Sequence, residues 1–263
     1  MATPSVTVIT CYYKVKSKHS FEEYSRWITN LLYAVRSANI IIFTTVDQEQ
    51  NLMNLAMQNR KEPYANKNVK IIIKDLNELE IVKKYPDIWD DQYRKDPTPN
   101  IRTKECYMIW NSKMSLVKEA ISLNPFNSDK FIWNDIGSMR DVRYIHENYK
   151  NIINYPLYSN ISEDKMDIVL IENFKLPDQI IFQNEVHLSG ALFGSSKETF
   201  LKVIDLFYQN LEMYLENGYF IGCDQQILAT CVQQRPELFK LIQPDYSNRI
   251  IDKWFYLYHH YSH

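Results

Sequence analysis

A carboxylate follows an apolar run near the middle of the chain. Residues 131–133 (FIW) lead into Asn134 and Asp135, and Gly137 comes two residues later. A strand that delivers a carboxylate into a crevice suits a hard divalent cation, because Mg²⁺ and Mn²⁺ take oxygen ligands and keep a substrate diphosphate in their shell. An Asn-Asp pair near glycine is equally typical of an ordinary turn that ends a strand. The residues alone leave both interpretations open.

A second carboxylate opens a predicted helix in the last quarter of the chain. Asp224 follows Gly222 and precedes Gln225 and Gln226. The ordinary role of an Asp at this position is an N-cap that satisfies free backbone N–H groups. The functional alternative uses the same geometry, since a helix N-terminus lowers the pKa of Asp224 and side chains there can face a crevice and hold a substrate hydroxyl.

Two glycines lie inside a predicted strand between these two sites. The segment HLSGALFGS, residues 187–195, has Gly190 and Gly194 four residues apart. Glycine inside a strand allows a ligand or another backbone to approach closely. The alternative is a bulge, with Ser195 capping the next helix through Glu198.

The elements that must position these residues alternate between strand and helix. Apolar runs predict strands at 6–12, 39–45, 69–73, 130–133, 167–171 and 186–193. Periodic stripes predict helices that start at the capping box of Ser20 and Glu23, at about 47–60, over 107–121, at about 196–216, and from 224 onward. This pattern predicts an α/β fold with a mostly parallel central sheet flanked by helices, Rossmann-like in its first third.

The stretch 83–102 holds three prolines and mixed charges, which predicts a long excursion over the surface that could act as a lid.

A chain of 263 residues is long enough for one large domain with a sizeable core. We expect a single domain without internal repeats.

Composition excludes several classes of protein. The chain has only 5 glycines, all in its second half, so neither a P-loop nor a GxGxxG fingerprint can be built. A net charge of -2 with mixed signs offers no footprint for nucleic acid or an anionic membrane. No apolar run predicts a signal peptide or a transmembrane helix, so we expect a cytoplasmic protein, in the host cytoplasm if the source is viral. The spacing of the four cysteines matches no zinc or redox motif and predicts buried thiols.

The three sites, taken together and in this order, resemble a known family. The segment NPFNSDKFIWNDIG (124–137), preceded by RTKECYMIWNSK (102–113) and followed by the two-glycine strand and the DQ helix, resembles the HtrL/YibB-like family of bacterial and viral sugar-coat loci, which looks like a GT-A glycosyltransferase group. The resemblance runs from Val6 to about Ile242. More distantly, residues 187–200 and 224–228 are similar to the acceptor strand and active-site helix of retaining GT-A enzymes, including glycogenin-like and blood-group-type transferases.

The resemblance implies a donor side. It places Asp135 on the first carboxylate of the GT-A DxD motif and Gly137 on the second, which weakens the metal site expected there. It puts Arg102 and Lys113 where such enzymes contact the donor, and Lys113 lies off the apolar stripe, so it could reach a phosphate as a point charge. By fold analogy the nucleotide pocket also includes Thr10, Tyr12, Thr44, Asp75 and Asn134.

The resemblance also implies an active-site helix and an acceptor side. Asp224 falls on the carboxylate of that helix. Gln225 stands where blood-group-type enzymes have a nucleophilic glutamate and glycogenin-like ones have glutamine. The acceptor-binding residues implied by the strand are His187, Ser189 and Gly190.

The expected function is transfer of a sugar from a nucleotide donor, a UDP-sugar first, to a glycan or protein hydroxyl, with retention of configuration. Residues 1–137 would bind the nucleotide sugar and residues 138–263 the acceptor. The expected cofactor is Mn²⁺ or Mg²⁺ on Asp135, with His259 in the aromatic C-terminal segment 254–263 as a further metal ligand; a packed tail is the alternative for that segment. The rival function is a non-catalytic protein that binds nucleotide sugars or glycans. Oligomeric state is left open.

Overall fold

Seven strands form one central sheet. The computed structural model describes residues 5–60, 67–98, 101–141, 155–245 and 252–263. Its strands are β1 (Val6–Tyr12), β2 (Asn39–Thr44), β3 (Val69–Ile73), β4 (Lys130–Asn134), β5 (Met166–Leu170), β6 (Leu188–Ser196) and β7 (Phe239–Ile242). Their spatial order is β3-β2-β1-β4-β6-β5-β7. The predicted strand positions are confirmed to within two residues at most ends, and β7 was not predicted.

The sheet is mixed, which corrects the expectation of a mostly parallel sheet. The pairs β1–β2, β2–β3, β1–β4 and β5–β7 are parallel, as a βαβ pattern requires. Strand β6 is antiparallel to both of its neighbours, β4 and β5. A continuous apolar run indicates that a strand is buried on both faces but carries no information about its direction, so β6 could not be oriented from the sequence.

Helices cover both faces of the sheet. They are α1 (Phe21–Ala34), α2 (Val46–Asn59), α3 (Glu80–Lys84), α4 (Trp89–Lys95), α5 (Lys104–Leu123), α6 (Lys197–Glu216), α7 (Asp224–Gln234) and α8 (Leu257–His260). Short 3₁₀ turns occupy Leu76–Glu78, Tyr158–Asn160, Pro236–Leu238 and Lys253–Phe255. The predicted capping box of α1 is confirmed, since the Glu23 N–H donates to Ser20 Oγ and the Ser20 N–H donates to Glu23 Oε2.

Two other local predictions are resolved by hydrogen bonds. Helix α5, predicted over 107–121, ends at Leu123, because Asn124 adopts a left-handed φ of 32° and its side chain bonds the backbone of Ser128. Helix α6 is capped by Ser196, whose Oγ accepts from the Thr199 N–H, so Ser195 is not the cap. The Ser195 hydroxyl donates to the Lys165 carbonyl instead.

The apolar core is split by the sheet into two layers. One cluster packs α3 to α7 against one face and contains Trp133, Phe193 and Phe200. The other packs α1, α2 and the C-terminal segment against the opposite face and contains Leu31 and Tyr258. Because both faces are covered, the inner strands consist almost entirely of buried residues.

The described part of the 83–102 stretch is mostly exposed, as predicted for an excursion over the surface, but a few buried residues anchor it to the core. Trp89 is buried, and the Oε1 atom of buried Gln92 accepts a hydrogen bond of 2.8 Å from the Ile221 N–H.

Cys11 and Cys231 are buried as predicted, but Cys106 and Cys223 are partly exposed, and all four are free thiols.

The sheet ends in two short edge strands. β3 has five residues and β7 has four, and each carries an exposed lysine, Lys70 and Lys240.

Within the described ranges, no helix has the length and apolar character needed to cross a bilayer.

Candidate active site

The carboxyl ends of β1 and β4 form the point at which the strand order reverses. The chain moves outward from β1 to β2 and β3, and then returns to place β4 on the other side of β1. Crevices at such a point are where open α/β sheets bind ligands. Tyr12 ends β1, and Asp135 directly follows β4.

Asp135 is held at this edge by backbone and side-chain contacts. Its N–H donates to the Ala191 carbonyl at 2.8 Å, and its Oδ1 accepts from the Trp133 indole N–H at 2.8 Å. The carboxylate is still 33% exposed. The structure therefore holds Asp135 in a fixed orientation at this edge, with part of its carboxylate accessible to solvent.

Lys113 joins the separate sites that the sequence singled out. Its Nζ lies 3.0 Å from Asp135 Oδ1 and 2.9 Å from Asp224 Oδ2, and it donates to the Gly190 carbonyl at 2.8 Å. The ammonium donates hydrogen bonds to Asp135 Oδ2 at 3.2 Å and to the Gly190 carbonyl, whereas Asp224 Oδ2 is an ion-pair contact without hydrogen-bond geometry. Helix α5, strand β6, helix α7 and the end of β4 thus meet at one nitrogen atom. Lys113 is 3% exposed, so these contacts occupy the group that was expected to reach a phosphate.

Asp224 is the first residue of α7 and not its N-cap. The N-cap position is held by Cys223, and the Asp224 carboxylate turns inward to the Lys113 ammonium. The side chain is 6% exposed. Gln225 is half-buried beside it, and its Oε1 accepts a 3.4 Å contact from the Cys223 thiol.

Gly190 is required by the position of Asp224. A Cβ atom at residue 190 would lie 2.8 Å from Asp224 Oδ2 and 3.0 Å from the Cγ of Gln225. The group that approaches this glycine closely is therefore the Asp224 side chain, which fills the space that a substrate would need. The bulge alternative also holds on this strand, because the β5–β6 pairing shifts register between Phe193 and Leu188 of β6, a stretch that includes Gly190. The β4–β6 pairing stays in register over Leu192–Ser196.

The charge states in the cluster follow from burial and pairing. Burial alone would lower the pKa of Lys113, but Asp135 and Asp224 outweigh it and raise the pKa above its ordinary value, so the ammonium stays charged. Burial raises the pKa of Asp224, with Lys113 opposing the shift and Asp135 adding to it. The expectation that the helix N-terminus lowers the pKa of Asp224 is thus wrong, because burial outweighs that effect.

The other donor-side residues lie along the same sheet edge. Tyr12 and Thr44 end β1 and β2, and the Thr44 hydroxyl donates to the Tyr12 carbonyl at 2.7 Å. Thr10 is fully buried, Asp75 is exposed just beyond β3, and Asn134 is fully buried. Thr10 and Asn134 therefore present no surface at this edge, and contact of any of these residues with a nucleotide stays a prediction.

Arg102 belongs to a neighbouring polar cluster that the sequence did not reveal. Its guanidinium donates to Asp96 Oδ1 at 3.2 Å and stacks over Trp110. The Tyr107 hydroxyl donates to the other oxygen of Asp96, whose side chain is fully buried. Arg102 is thereby tied to the residues that hold α4 against α5.

Two of the three predicted acceptor-side residues have internal partners. Buried His187 stacks on Phe174 with ring centroids 4.7 Å apart, and its Nδ1 lies 3.1 Å from the Glu172 carbonyl. The buried Ser189 hydroxyl donates to the Trp254 carbonyl at 2.7 Å. Gly190 alone contributes directly to the Lys113 cluster.

The C-terminal segment packs against the turn that follows β4 and supports it. Tyr258 is fully buried, and its hydroxyl lies 2.9 Å from Asn134 Oδ1 and 2.7 Å from Ser138 Oγ. His259 points elsewhere: its ring packs on Tyr256 and on His263, with centroids 5.3 and 4.4 Å away. The packed-tail alternative describes this segment better than a metal-binding lid.

The donor set at this point does not fit a resident divalent cation. Both oxygens of Asp135 lie within 3.2 Å of the Lys113 ammonium, and the Asp224 carboxylate is buried against the same nitrogen. Gly137 supplies no carboxylate, and His259 makes its contacts with other rings. Among the residues that the structure describes, no group of three or more His, Cys, Asp and Glu side chains is placed to hold a metal ion.

Cationic side chains are exposed on the segments that follow β1 and β4. Lys14, Lys16 and Lys18 are exposed on the segment after β1, and Arg140 is exposed six residues after β4. The Arg140 guanidinium is anchored by the Gly137 carbonyl at 3.0 Å and lies over the ring of Trp27. We call these four residues the cationic rim.

Some of these contacts could have been found from the sequence. Trp133 and Asp135 are two residues apart on an extended segment, which places their side chains on the same side. The alternating lysines of the cationic rim directly follow a predicted strand. Nothing in the sequence signals that Tyr258 contacts Asn134, because the two lie far apart in the chain.

A comparison with protein-family models gives one match, to the family described as a bacterial protein of unknown function, HtrL_YibB, over residues 4–262. No curated protein matches the chain. Because the match covers nearly the whole sequence, the chain belongs to the HtrL_YibB family.

Proposed function

We propose that this protein is a glycosyltransferase that moves a sugar from a nucleotide donor, with UDP-sugars as the first class to test, to a hydroxyl of a glycan or protein. The observation that carries the proposal is the meeting of Asp135, Asp224 and Lys113 at the point where the strand order reverses. Polar residues from four elements converge there. A GT-A-type fold is part of the proposal and is supported by the β3-β2-β1-β4 half, which suits a nucleotide.

The donor diphosphate is assigned to the cationic rim. The Lys113 cluster holds two carboxylates to one ammonium, so it repels an anion. The cationic rim supplies positive charge at the same sheet edge, and Arg140 is prealigned by Gly137 and Trp27. We therefore place the phosphates towards β1 and Arg140, and the sugar towards Asp135.

The carboxylates suit the positive charge that develops on the sugar. As the bond from the anomeric carbon to the diphosphate oxygen breaks, that carbon becomes cationic, and fixed negative groups stabilise it. The Asp135 carboxylate is partly exposed, and the buried Asp224 carboxylate adds a second negative charge on the other side of Lys113. The acceptor oxygen bonds to the anomeric carbon, and its proton passes to the departing phosphate oxygen.

The same arrangement supports the proposal that configuration is retained. Gln225 is an amide and cannot form a glycosyl-enzyme by carboxylate attack. Asp224 is 6% exposed and paired with Lys113, which leaves it unsuited to remove a proton from an acceptor on the far face of the sugar. A front-face transfer, in which the diphosphate takes the proton, needs neither group as a base.

The direct test is a panel of nucleotide sugars, with release of nucleotide measured for the wild type and for Asp224→Asn. We expect one donor to be hydrolysed slowly by the wild type, and the variant to lose kcat with little change in KM, because the interaction acts in the transition state. Glu216→Gln, an exposed carboxylate at the end of α6, is the control. NMR of the first product from an α-linked donor should show an α-linked sugar, and a β-linked product would contradict retention.

A binding protein without turnover is the second candidate. It is favoured by Gly137 in place of a second carboxylate and by the ion pairs that tie both Asp135 and Asp224 to Lys113. Such a protein would give a thermal shift with a nucleotide sugar but would release no nucleotide from it.

A further inference from the structure

The Lys113 ammonium lies at the point that two carboxylates share. We infer that Lys113 is the resident cation of this site and takes the position that a divalent metal ion would need in order to bind Asp135 and Asp224 together. The inference deepens the proposed function, and its catalytic meaning rests on that function. Its test, however, measures metal binding alone.

The contacts show why a second cation has no room there. Nζ is 3.0 Å from Asp135 Oδ1, 2.9 Å from Asp224 Oδ2 and 2.8 Å from the Gly190 carbonyl oxygen. A buried ammonium is costly unless it is paired, and here two carboxylates match its charge while Asp135 Oδ2 and the Gly190 carbonyl accept hydrogen bonds from it. A metal ion at this point would have to displace Lys113 or stand beside it against the repulsion of like charges.

The surroundings of Lys113 keep it in this position. It projects from α5 between residues that are themselves buried, and its neighbour Asn111 fixes the segment before α7 by donating to the Ile221 carbonyl at 2.9 Å. The absence of a side chain at Gly190 leaves Asp224 room to reach the ammonium. A lysine built in this way holds the two carboxylates at a fixed spacing without any ion from solution.

The consequence is a gain of metal binding when the lysine is removed. Lys113→Met deletes the ammonium and leaves two carboxylates that each have an oxygen within 3.0 Å of a common point. Mg²⁺ and Mn²⁺ accept such oxygen ligands at about 2.1 Å, which requires only a small contraction of the cluster. The variant should therefore bind a divalent cation that the wild type does not bind.

Titration with Mn²⁺, followed by the loss of the free-ion electron paramagnetic resonance signal, tests the inference without any nucleotide sugar. We expect no Asp135-dependent site in the wild type, and in Lys113→Met one site that binds Mn²⁺ about tenfold or more tightly than any residual binding by the wild type. Lys118→Met is the matched control, since Lys118 is exposed on the same helix. Adding Asp135→Asn to Lys113→Met should abolish the gained site.

Removal of one partner from a buried ion pair is strongly destabilising, so circular dichroism must first show that the variant is folded. If Lys113→Met does not fold, Lys113→Gln is the replacement, because it removes the charge and keeps two N–H donors. A wild-type protein that binds one Mn²⁺ in an Asp135-dependent manner would overturn the inference, and so would a folded variant that gains no site. The proposed transferase activity can fail in its own assay while the gain of metal binding still occurs.

Discussion

Gly190 has no side chain in a place where one would collide with a carboxylate. Gly190→Ala should destabilise the protein by about 1–3 kcal/mol, the usual cost of forcing an extra carbon into a packed site. It should also push Asp224 away from Lys113, because the added Cβ would lie 2.8 Å from Asp224 Oδ2. Chemical denaturation and nucleotide release measure the two effects.

Gly194 offers a matched control on the same strand. A Cβ atom there would lie 2.6 Å from the Tyr261 hydroxyl, so the crowding is similar but the neighbour lies outside the Lys113 cluster. Gly194→Ala should lower stability and leave the kcat of the folded fraction unchanged. Equal losses of kcat in both variants would mean that crowding in β6, and not the position of Asp224, limits turnover.

The raised pKa of Asp224 gives a pH dependence of definite sign. Since burial raises this pKa, the native state binds the proton more tightly than the unfolded state does, and Asp224 makes stability fall as pH rises from its ordinary pKa through the raised one. Asp224→Asn removes this titration and leaves the other groups in place. The difference in unfolding free energy between wild type and Asp224→Asn, measured by chemical denaturation, should therefore decline with rising pH over the acidic range.

Asp96 provides the opposite case in the same protein. Burial works against its charged form, but hydrogen bonds from Tyr107 and Thr98 outweigh this and lower its pKa. The stability that Asp96 contributes should thus be present above its ordinary pKa and disappear as pH falls through the lowered one. Slopes of the same sign for Asp96→Asn and Asp224→Asn would refute one of the two assignments, and the sign would show which.

At the scale of elements, the C-terminal segment supports the turn that carries Asp135. Tyr258→Phe removes a hydroxyl shared by Asn134 and Ser138, both buried, and should cost about 1–3 kcal/mol of stability. It should also lower kcat, because the turn loses its anchor. Tyr261→Phe, which loses a 3.1 Å bond to Asp167, should lower stability only.

The sequence predicted the positions of strands and helices better than it predicted the contacts between them. Capping residues such as Ser20 and the apolar runs of the strands act locally, so periodicity reveals them. The orientation of β6 depends on its neighbours, and the contact of Lys113 with Asp224 depends on that orientation, so neither is visible in a local pattern. The position of Lys113 off the apolar stripe is visible in the sequence, yet its burial follows from partners far away in the chain.

At the scale of the whole molecule, the sheet crosses the boundary between the two proposed halves. Strand β6 belongs to residues 138–263 but pairs with β4, which belongs to residues 1–137. A fragment of residues 1–137 would leave the inner strand β4 unpaired along one side. We expect this fragment to be unfolded or aggregated, and the full chain to unfold in one transition by near- and far-ultraviolet circular dichroism. Two separate transitions would show that the halves are independent domains.

The two ends of the sheet have a consequence for handling the protein at high concentration. An edge strand exposes unpaired backbone groups that can recruit a strand from another molecule, and an exposed lysine opposes such recruitment. Lys70 and Lys240 stand on the two edge strands, each of which is short. Lys70→Val would lengthen the apolar run of β3 into five uncharged residues. We expect that variant to form β-rich aggregates faster than the wild type, as followed by thioflavin fluorescence, even where its thermal midpoint is unchanged.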